Sequence, residues 1–387
     1  MLRRNINILK TNSFFLFGAR GVGKTSLLNL ILNEKTDNIL KYDLLDIETF
    51  EKLSLNPNLI KEEILYNKKI DWVVVDEVQK IPKLLDLVHQ LIESEKIKFA
   101  LSGSSARKLK RGGANLLAGR AFTYNLFPFT AFEIGNNFLL QSALEFGTLP
   151  FVVNSSDDDS KKMYLKTYTH TYIKEEIIVE QVIRKIDPFR KFLSIAAQNN
   201  GEIINYANIS KDCLCSEVTV KNYYQILEDT LIGFFLEPYH TSIRKRQKLS
   251  PKFYLFDLGV TRSLSNSLNI PLIPKTFEYG KAFEHFIICE VTRHISYLNN
   301  DFQVSYLRTK DNAEIDLIIE RPAMPTCLIE IKSTTQVKES DLRHLVSLGK
   351  DFKNSESYCF SLDQTPRVIN GVKILPWQIG LKEIGLG

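Results

Sequence analysis

Ser13-Phe14-Phe15-Leu16-Phe17, followed at once by Gly18-Ala19-Arg20-Gly21-Val22-Gly23-Lys24-Thr25, decides the fold of the first third of the chain. The first five residues read as a buried strand. The next eight match G-x-x-x-x-G-K-[ST] at every fixed position, and Lys24 to Leu32 reads as a helix behind them. Glycines let the backbone wind closely enough for its N–H groups to point inward at a phosphate. The helix N-terminus adds favourable partial charge. The cradle residues expected to hold ATP run from Gly18 through Ser26. Lys24 is expected on the β- and γ-phosphates and Thr25 on Mg²⁺.

Further strands are expected at 41–47, 72–76, 98–102 and 121–127. Alternation with helical patterns gives a parallel sheet covered on both faces. The third strand, Trp72-Val73-Val74-Val75-Asp76-Glu77, ends in carboxylates beside the cradle. Asp76 is expected to hold Mg²⁺, and Glu77 to polarise the attacking water as general base. Ala100-Leu101-Ser102-Gly103-Ser104-Ser105 ends the fourth strand, where the Ser102 or Ser104 hydroxyl is placed to sense the γ-phosphate. Arg120, just before the fifth strand, is the candidate to face a neighbouring subunit's γ-phosphate, with Arg107 as the alternative.

At 387 residues the chain calls for two or three domains, and its net charge of +5 is mild. No stretch reaches the ~18 apolar residues of a membrane span, so no membrane partner is expected. Met1-Leu2-Arg3-Arg4-Asn5 has a basic start without an apolar core and is read as no secretory signal. Five scattered cysteines, without a second pair at zinc spacing, fit buried thiols in a cytoplasmic setting.

Within 188–230 three helices are expected. Ser216 caps the last, and Val220, Tyr223, Tyr224 and Leu227 fall on one face. That is the pattern of a helix-turn-helix second helix, leaving Thr219, Lys221 and Asn222 for DNA. Strands near 232–239 and 252–256 flank Arg244-Lys245-Arg246, the expected wing on backbone phosphate.

Later, a helix begins near Phe277, strands fall at 302–308, 314–320 and 326–332, and a helix at 338–350. In Leu328-Ile329-Glu330-Ile331-Lys332, Glu330 and Lys332 share one strand face. A hairpin symmetric about Ala323 sets Asp316 opposite Glu330 and Glu314 opposite Lys332. Facing carboxylates destabilise a sheet unless a cation lies between them. Glu284 sits at the edge of a helix face made by Phe283, Ile287, Val291 and Ile295, within reach of the sheet. Asp316, Glu330 and Glu284 are therefore the expected metal ligands, and Lys332 the group that positions water and stabilises a phosphorane.

The segments Gly18–Thr25, Val75-Asp76-Glu77-Val78-Gln79, Ser102–Ser105, Ala118-Gly119-Arg120 and Leu126–Glu133 resemble AAA-type ATPases of bacteria and archaea with a C-terminal domain of unassigned function. The likeness continues through Phe283-Glu284 and Glu330-Ile331-Lys332. It implies ATP hydrolysis and homo-oligomeric rings, taken as hexamers, with a winged helix and a restriction-endonuclease-like part. Glu284, Asp316 and Glu330-x-Lys332 resemble the PD-(D/E)xK nucleases, with Ile315 standing where proline is common. That likeness implies Mg²⁺-dependent phosphodiester cleavage.

The expected architecture is α/β throughout. It comprises a P-loop AAA+ core (1–135), a helical lid (136–187), a winged helix (188–265) and a nuclease-like domain (266–387). The leading reading is a motor that translocates on, remodels or branch-migrates DNA. The alternative is an ATP-controlled switch that binds a protein partner, its nuclease-like fold inactive. A third, an ATPase acting on proteins, lacks an aromatic pore-loop signal.

Overall fold

The computed structural model describes residues 2–32, 38–105, 109, 117, 119–172, 186–240 and 249–387. Arg107 and Arg244-Lys245-Arg246 lie outside the described residues. Two compact units are present: one of Arg4–Pro128 with Ile226–Ile232, the other built mainly from Phe129–Gln225 and Gly233–Gly387.

The N-terminal unit is a five-stranded sheet of β1 (Ser13–Phe17), β2 (Ile39–Asp43), β3 (Trp72–Asp76), β4 (Lys98–Gly103) and β5 (Ala121–Asn125). The order is β2-β3-β4-β1-β5, with every neighbour parallel. Parallel strands covered on both faces need apolar residues at consecutive positions. Phe14 to Phe17 and Trp72 to Val75 supply them, all buried. Helices α1 (Lys24–Ile31), α2 (Ile47–Leu55), α3 (Leu59–Tyr66) and α4 (Leu84–Glu95) connect the strands. Leu84, Val88 and Leu91 of α4 join Phe15, Val73 and Leu101 in one core. This is the P-loop AAA+ arrangement. One strand is displaced from its expected place. The run 41–47 is not all strand, because Asp46 accepts from Thr49 N at 2.9 Å and caps α2. That bond turns Ile47 into a helix start.

In the C-terminal unit, α5 (Ile186–Gln198), α6 (Tyr206–Asp212) and α7 (Glu217–Asp229, all but its last residues, from Ile226 on) precede β6 (Gly233–Pro238) and β7 (Lys252–Leu255). Then come α8 (Leu258–Leu264), α9 (Phe277–Leu298), β8 (Gln303–Arg308), β9 (Glu314–Glu320), β10 (Thr326–Lys332) and α10 (Arg343–Gly349). The unit closes with β11 (Ser355–Ser361), β12 (Arg367–Ile369), β13 (Val372–Pro376) and α11 (Trp377–Glu383). One sheet runs β12-β13-β11-β10-β9-β8-β6-β7. Phe283, Ile287 and Val291 of α9 pack with Leu317, Ile319 and Ile329. Leu345 of α10 packs with Ile318 and Leu328 on the other layer.

The strands expected as a wing thus extend the sheet expected of the last domain: β6 pairs with β8 through Glu237↔Ser305 and Pro238↔Tyr306. The helices expected as a lid, Leu140–Phe146, Pro150–Asn154 and Asp158–Thr167, belong to the same unit. Buried polar bonds explain this. The Asp257 carboxylate accepts from Thr148 N at 2.8 Å and Val260 N at 3.1 Å. Arg293 donates to Phe129 O at 3.0 Å, Thr148 Oγ1 at 3.0 Å and Phe256 O at 2.8 Å. Buried groups tied this way are costly to separate.

Candidate functional site

The loop expected to cradle nucleotide lies at the carboxyl ends of β1, β3 and β4, where open α/β sheets bind ligands. Gly21 and Gly23 adopt φ of 80° and 96°, a region open to glycine at no steric cost. At Gly18 a Cβ would lie 2.4 Å from Leu126 O. Lys24, buried at the start of α1, donates to Gly18 O at 2.8 Å and Ala19 O at 3.4 Å, and lies 4.0 Å from Glu77 Oε1. Ala19 and Val22 are buried, Arg20 is half-buried, and Thr25 and Ser26 are exposed on the first turn of α1. Arg4, which the sequence reading missed, braces the loop by donating to Val22 O at 3.1 Å and to Phe127 O.

Thr25 Oγ1 donates to Asp76 Oδ2 at 2.6 Å. The other Asp76 oxygen accepts from Ser102 Oγ and from Glu77 N. A hydroxyl and a carboxylate held together beside a loop whose windings admit only glycine fit a Mg²⁺-bound triphosphate. Glu77 sits at φ 57°, ψ 44°, an uncommon place for a residue with a side chain. Its carboxylate accepts from Gln79 Nε2, which also donates to Ser104 Oγ at 3.1 Å. Gly103 leaves room for that contact, since a Cβ there would come within 2.4 Å of Gln79 Oε1. Gln79 therefore joins the expected base to the expected sensor strand, a role its position in Val78-Gln79 did not reveal. Arg120 pairs with Glu93 of α4 in the same chain.

α5 to α7 form the expected three helices. Ser216 Oγ accepts from Thr219 N at 3.1 Å as the cap of α7. Val220, Tyr223 and Tyr224 are buried. Lys221 and Asn222 are exposed and Thr219 is half-buried. Lys221 Nζ lies over the Tyr206 ring, 5.1 Å from its centroid.

The second site is a cleft of about 390 Å³ in the C-terminal unit, lined by Glu284, Glu314, Asp316, Glu330, Lys332 and Lys252, among others. The β9–β10 ladder pairs Leu317 with Ile329, so the next step sets Asp316 opposite Glu330. Asp316 Oδ2 accepts from Ile331 N at 2.8 Å. Lys332 Nζ lies 2.6 Å from Glu330 Oε1. Glu284 Oε1 accepts from Tyr254 Oη at 2.7 Å and Lys252 Nζ at 3.4 Å. Lys252 Nζ also lies 2.5 Å from Glu314 Oε1. The four residues expected to act together do face one cleft. Lys252 and Tyr254 of β7 share it unforeseen.

Burial drives the charge states here. It lifts the Asp316 carboxyl well above the ordinary aspartate range, and the carboxylates of Glu330 and Glu284 lift it further. Burial likewise raises Glu330, although Lys332 opposes the shift. Burial works against the Lys332 ammonium, but Glu330 and Asp316 outweigh it and hold its pKa above the ordinary lysine value. Burial likewise works against the Lys252 ammonium, but Glu284, Glu314 and Asp316 together outweigh it and raise its pKa.

Among the described residues no three His, Cys, Asp or Glu side chains are grouped as a metal-binding set. This agrees with Glu284 being engaged by Tyr254 and Lys252. Yet Glu330 Oε2 is buried without any hydrogen-bond partner, and its neighbour Asp316 offers a second hard oxygen donor. Mg²⁺ is commonly held by one or two carboxylates and its own waters, so the pair fits that ion.

Residues 10–135 match the family model described as "AAA domain". Residues 137–270 and 279–379 match two models described as domains of unknown function, DUF8612 and DUF4143. An uncharacterized protein of Mycobacterium tuberculosis is 25% identical over 280 residues, covering 71% of this chain and 62% of its own length. The chain thus spans less than two thirds of that relative. An uncharacterized protein of Methanocaldococcus jannaschii is 24% identical and covers 88% of this chain and 80% of its own. A solved structure of AMPPCP-bound DnaA from Aquifex aeolicus is 16% identical at a TM-score of 0.29, covering 56% of this chain and 81% of that one. Among the described residues no helix is long and apolar enough to cross a membrane.

Proposed function

We propose that the chain is an ATP-hydrolysing AAA protein that works as a homo-oligomer on DNA, and that its C-terminal cleft is a Mg²⁺-dependent phosphodiesterase site. The observation that carries the second half is the buried, unpartnered Glu330 Oε2 beside Asp316 and Lys332. In the N-terminal unit Lys24 and the loop amides bind the phosphates, Thr25 and Asp76 hold Mg²⁺, and Glu77 takes the proton of the attacking water. A neighbour's Arg120, released from Glu93, would offset the negative charge that grows on the transferred phosphoryl. In the cleft, Asp316 and Glu330 would hold a Mg²⁺ that supplies Lewis-acid polarisation of a phosphate oxygen. Lys332 orients the water and stabilises the charge that grows on phosphorus. Exposed Lys221 and Asn222 on α7 offer a helix face for a groove.

The second reading, an ATP switch whose cleft only recognises a partner, is favoured by the engagement of Glu284 with Lys252 and Tyr254. ATPase rate and Mg²⁺-dependent nicking, measured on duplex, single-stranded and branched DNA, separate them. The motor reading expects DNA to stimulate hydrolysis and at least one substrate to be nicked. A rate indifferent to all three DNAs, with none cut, overturns it in favour of the switch.

A further inference from the structure

The cleft holds more positive charge than a strand pair of carboxylates and one lysine would predict. Five carboxylates line it: Glu202, which pairs with Lys281, and a group of four made of Glu284 from α9, Glu314 and Asp316 from β9, and Glu330 from β10. Two ammonium groups answer that group of four. Lys332 lies on Glu330 Oε1, and Lys252 lies between Glu314 and Glu284. The Lys252 side chain is only 5% exposed, and its ammonium sits 5.4 Å from the centroid of the Tyr306 ring. Arg308, about as exposed as Lys332, lies 3.8 Å from Glu314 Oε2 and adds a third positive charge. With these groups ionised, Lys252 and Arg308 balance Glu284 and Glu314, whereas Asp316 and Glu330 have only Lys332 and keep a net negative charge.

The unmet acceptor is not spread evenly. Glu284 Oε1 has Tyr254 and Lys252, and Glu314 has Lys252 and Arg308. Glu330 Oε2 is the buried cleft oxygen without a partner among the described residues. Two-metal sites bridge carboxylates with ions ~4 Å apart. In this cleft one half has its cation built into the chain.

Resting on the reading of the cleft as a metal site, we infer that it takes a single divalent cation, at Asp316 and Glu330. The Lys252 ammonium stands where a second would bridge Glu284 and Glu314. The wing strand β7 thereby fixes the metal number of a site whose carboxylates all come from later in the chain. Glu284 serves as a positioning residue for Lys252 and Tyr254, not as a ligand.

The probe is Mn²⁺ alone, added to the full nucleotide-free chain, with the bound count taken by equilibrium dialysis and spin coupling by electron paramagnetic resonance. The background count comes from Asp316→Asn. Wild type is expected to bind one Mn²⁺ above that background, with an uncoupled spectrum. Lys252→Met is expected to bind two, with an exchange-coupled spectrum. If Lys252→Met does not fold, Glu284→Gln decides: it should still bind one, because its carboxylate belongs to the ammonium half. Two coupled ions in wild type, one ion in folded Lys252→Met, or none in Glu284→Gln would each overturn the inference while leaving a metal site in place. No binding above background in wild type would sink the inference together with the metal reading on which it rests.

Discussion

The nucleotide cradle and the carboxylate cleft solve opposite electrostatic problems with opposite materials. In the proposed reading the cradle collects positive partial charge from consecutive backbone amides and adds Lys24, which starts α1. Its parts span a few adjacent residues, and its neighbours Ser102 and Asp76 come from β4, beside β1, and β3, the next strand out. The cleft instead collects negative charge from side chains on α9, β9 and β10, then tempers it with lysines on β7 and β10. A cradle of backbone needs no counter-charge to fold. A cleft of buried carboxylates does, because an unpaired buried charge is strongly destabilising. The comparison explains why ammonium groups crowd the second site, whereas the first relies on Lys24 at the start of α1.

The sharpest way to break this comparison is to remove chemistry from one site and look for loss at the other. Asp316→Ala or Lys332→Ala should take Mg²⁺-dependent DNA nicking below detection and leave ATP turnover within the scatter of wild type. An equal loss of both activities would mean that the two sites are not independent. Glu77→Gln should lower ATP turnover about 1,000-fold, the scale of a lost general base, with nucleotide affinity kept. Turnover near wild type would remove Glu77 as the base and turn attention to its partner Gln79. Lys24→Ala should weaken ATP binding about 100-fold, the loss of a charge-assisted bond to phosphate, as read by nucleotide titration. Unchanged binding would show that the loop amides suffice alone.

Legibility in the sequence follows the same divide. The cradle was readable because winding a backbone around phosphate requires glycines at fixed offsets, and Gly18 and Gly23 stand there whatever the rest of the chain does. Half of the cleft was readable too. Strand alternation placed Glu330 with Lys332, and the symmetric hairpin turn set Asp316 opposite Glu330, as the ladder through Leu317 and Ile329 has it. Lys252 and Tyr254 escaped for a physical reason. They belong to a strand that read as part of a wing, and only the parallel pairing of β6 with β8 carries that ribbon onto the sheet. Nothing local in Pro251-Lys252-Phe253-Tyr254 encodes such a long-range pairing. A lysine and a tyrosine two apart share a strand face, which is the one hint that was present. The lid segment was opaque in the same way, since the groups that tie it down, Asp257 and Arg293, lie more than a hundred residues away.

The smallest expected effect tests the electrostatic half of the comparison without any DNA or nucleotide. Asp316 ordinarily titrates near 3.8, but burial and then the Glu330 and Glu284 carboxylates raise it well above that value in the folded chain. The folded state therefore binds a proton that the unfolded state has already released, and stability must fall as pH rises from the ordinary aspartate range to the raised native value. Asp316→Asn cannot ionise, and its amide oxygen keeps the bond from Ile331 N. In chelator, the variant should melt a few degrees above wild type at pH 8, since about 1 kcal/mol moves a domain of this size by ~2–4 °C. The gap should close toward pH 4. Mg²⁺ should reverse the order at pH 8, because a ligand at 100 times its Kd stabilises the chain that binds it by about 2.7 kcal/mol. Parallel melting curves at both pH values, indifferent to Mg²⁺, would mean that the Asp316 carboxylate has water or another cation beside it, and that the cleft is no more strained by charge than the cradle.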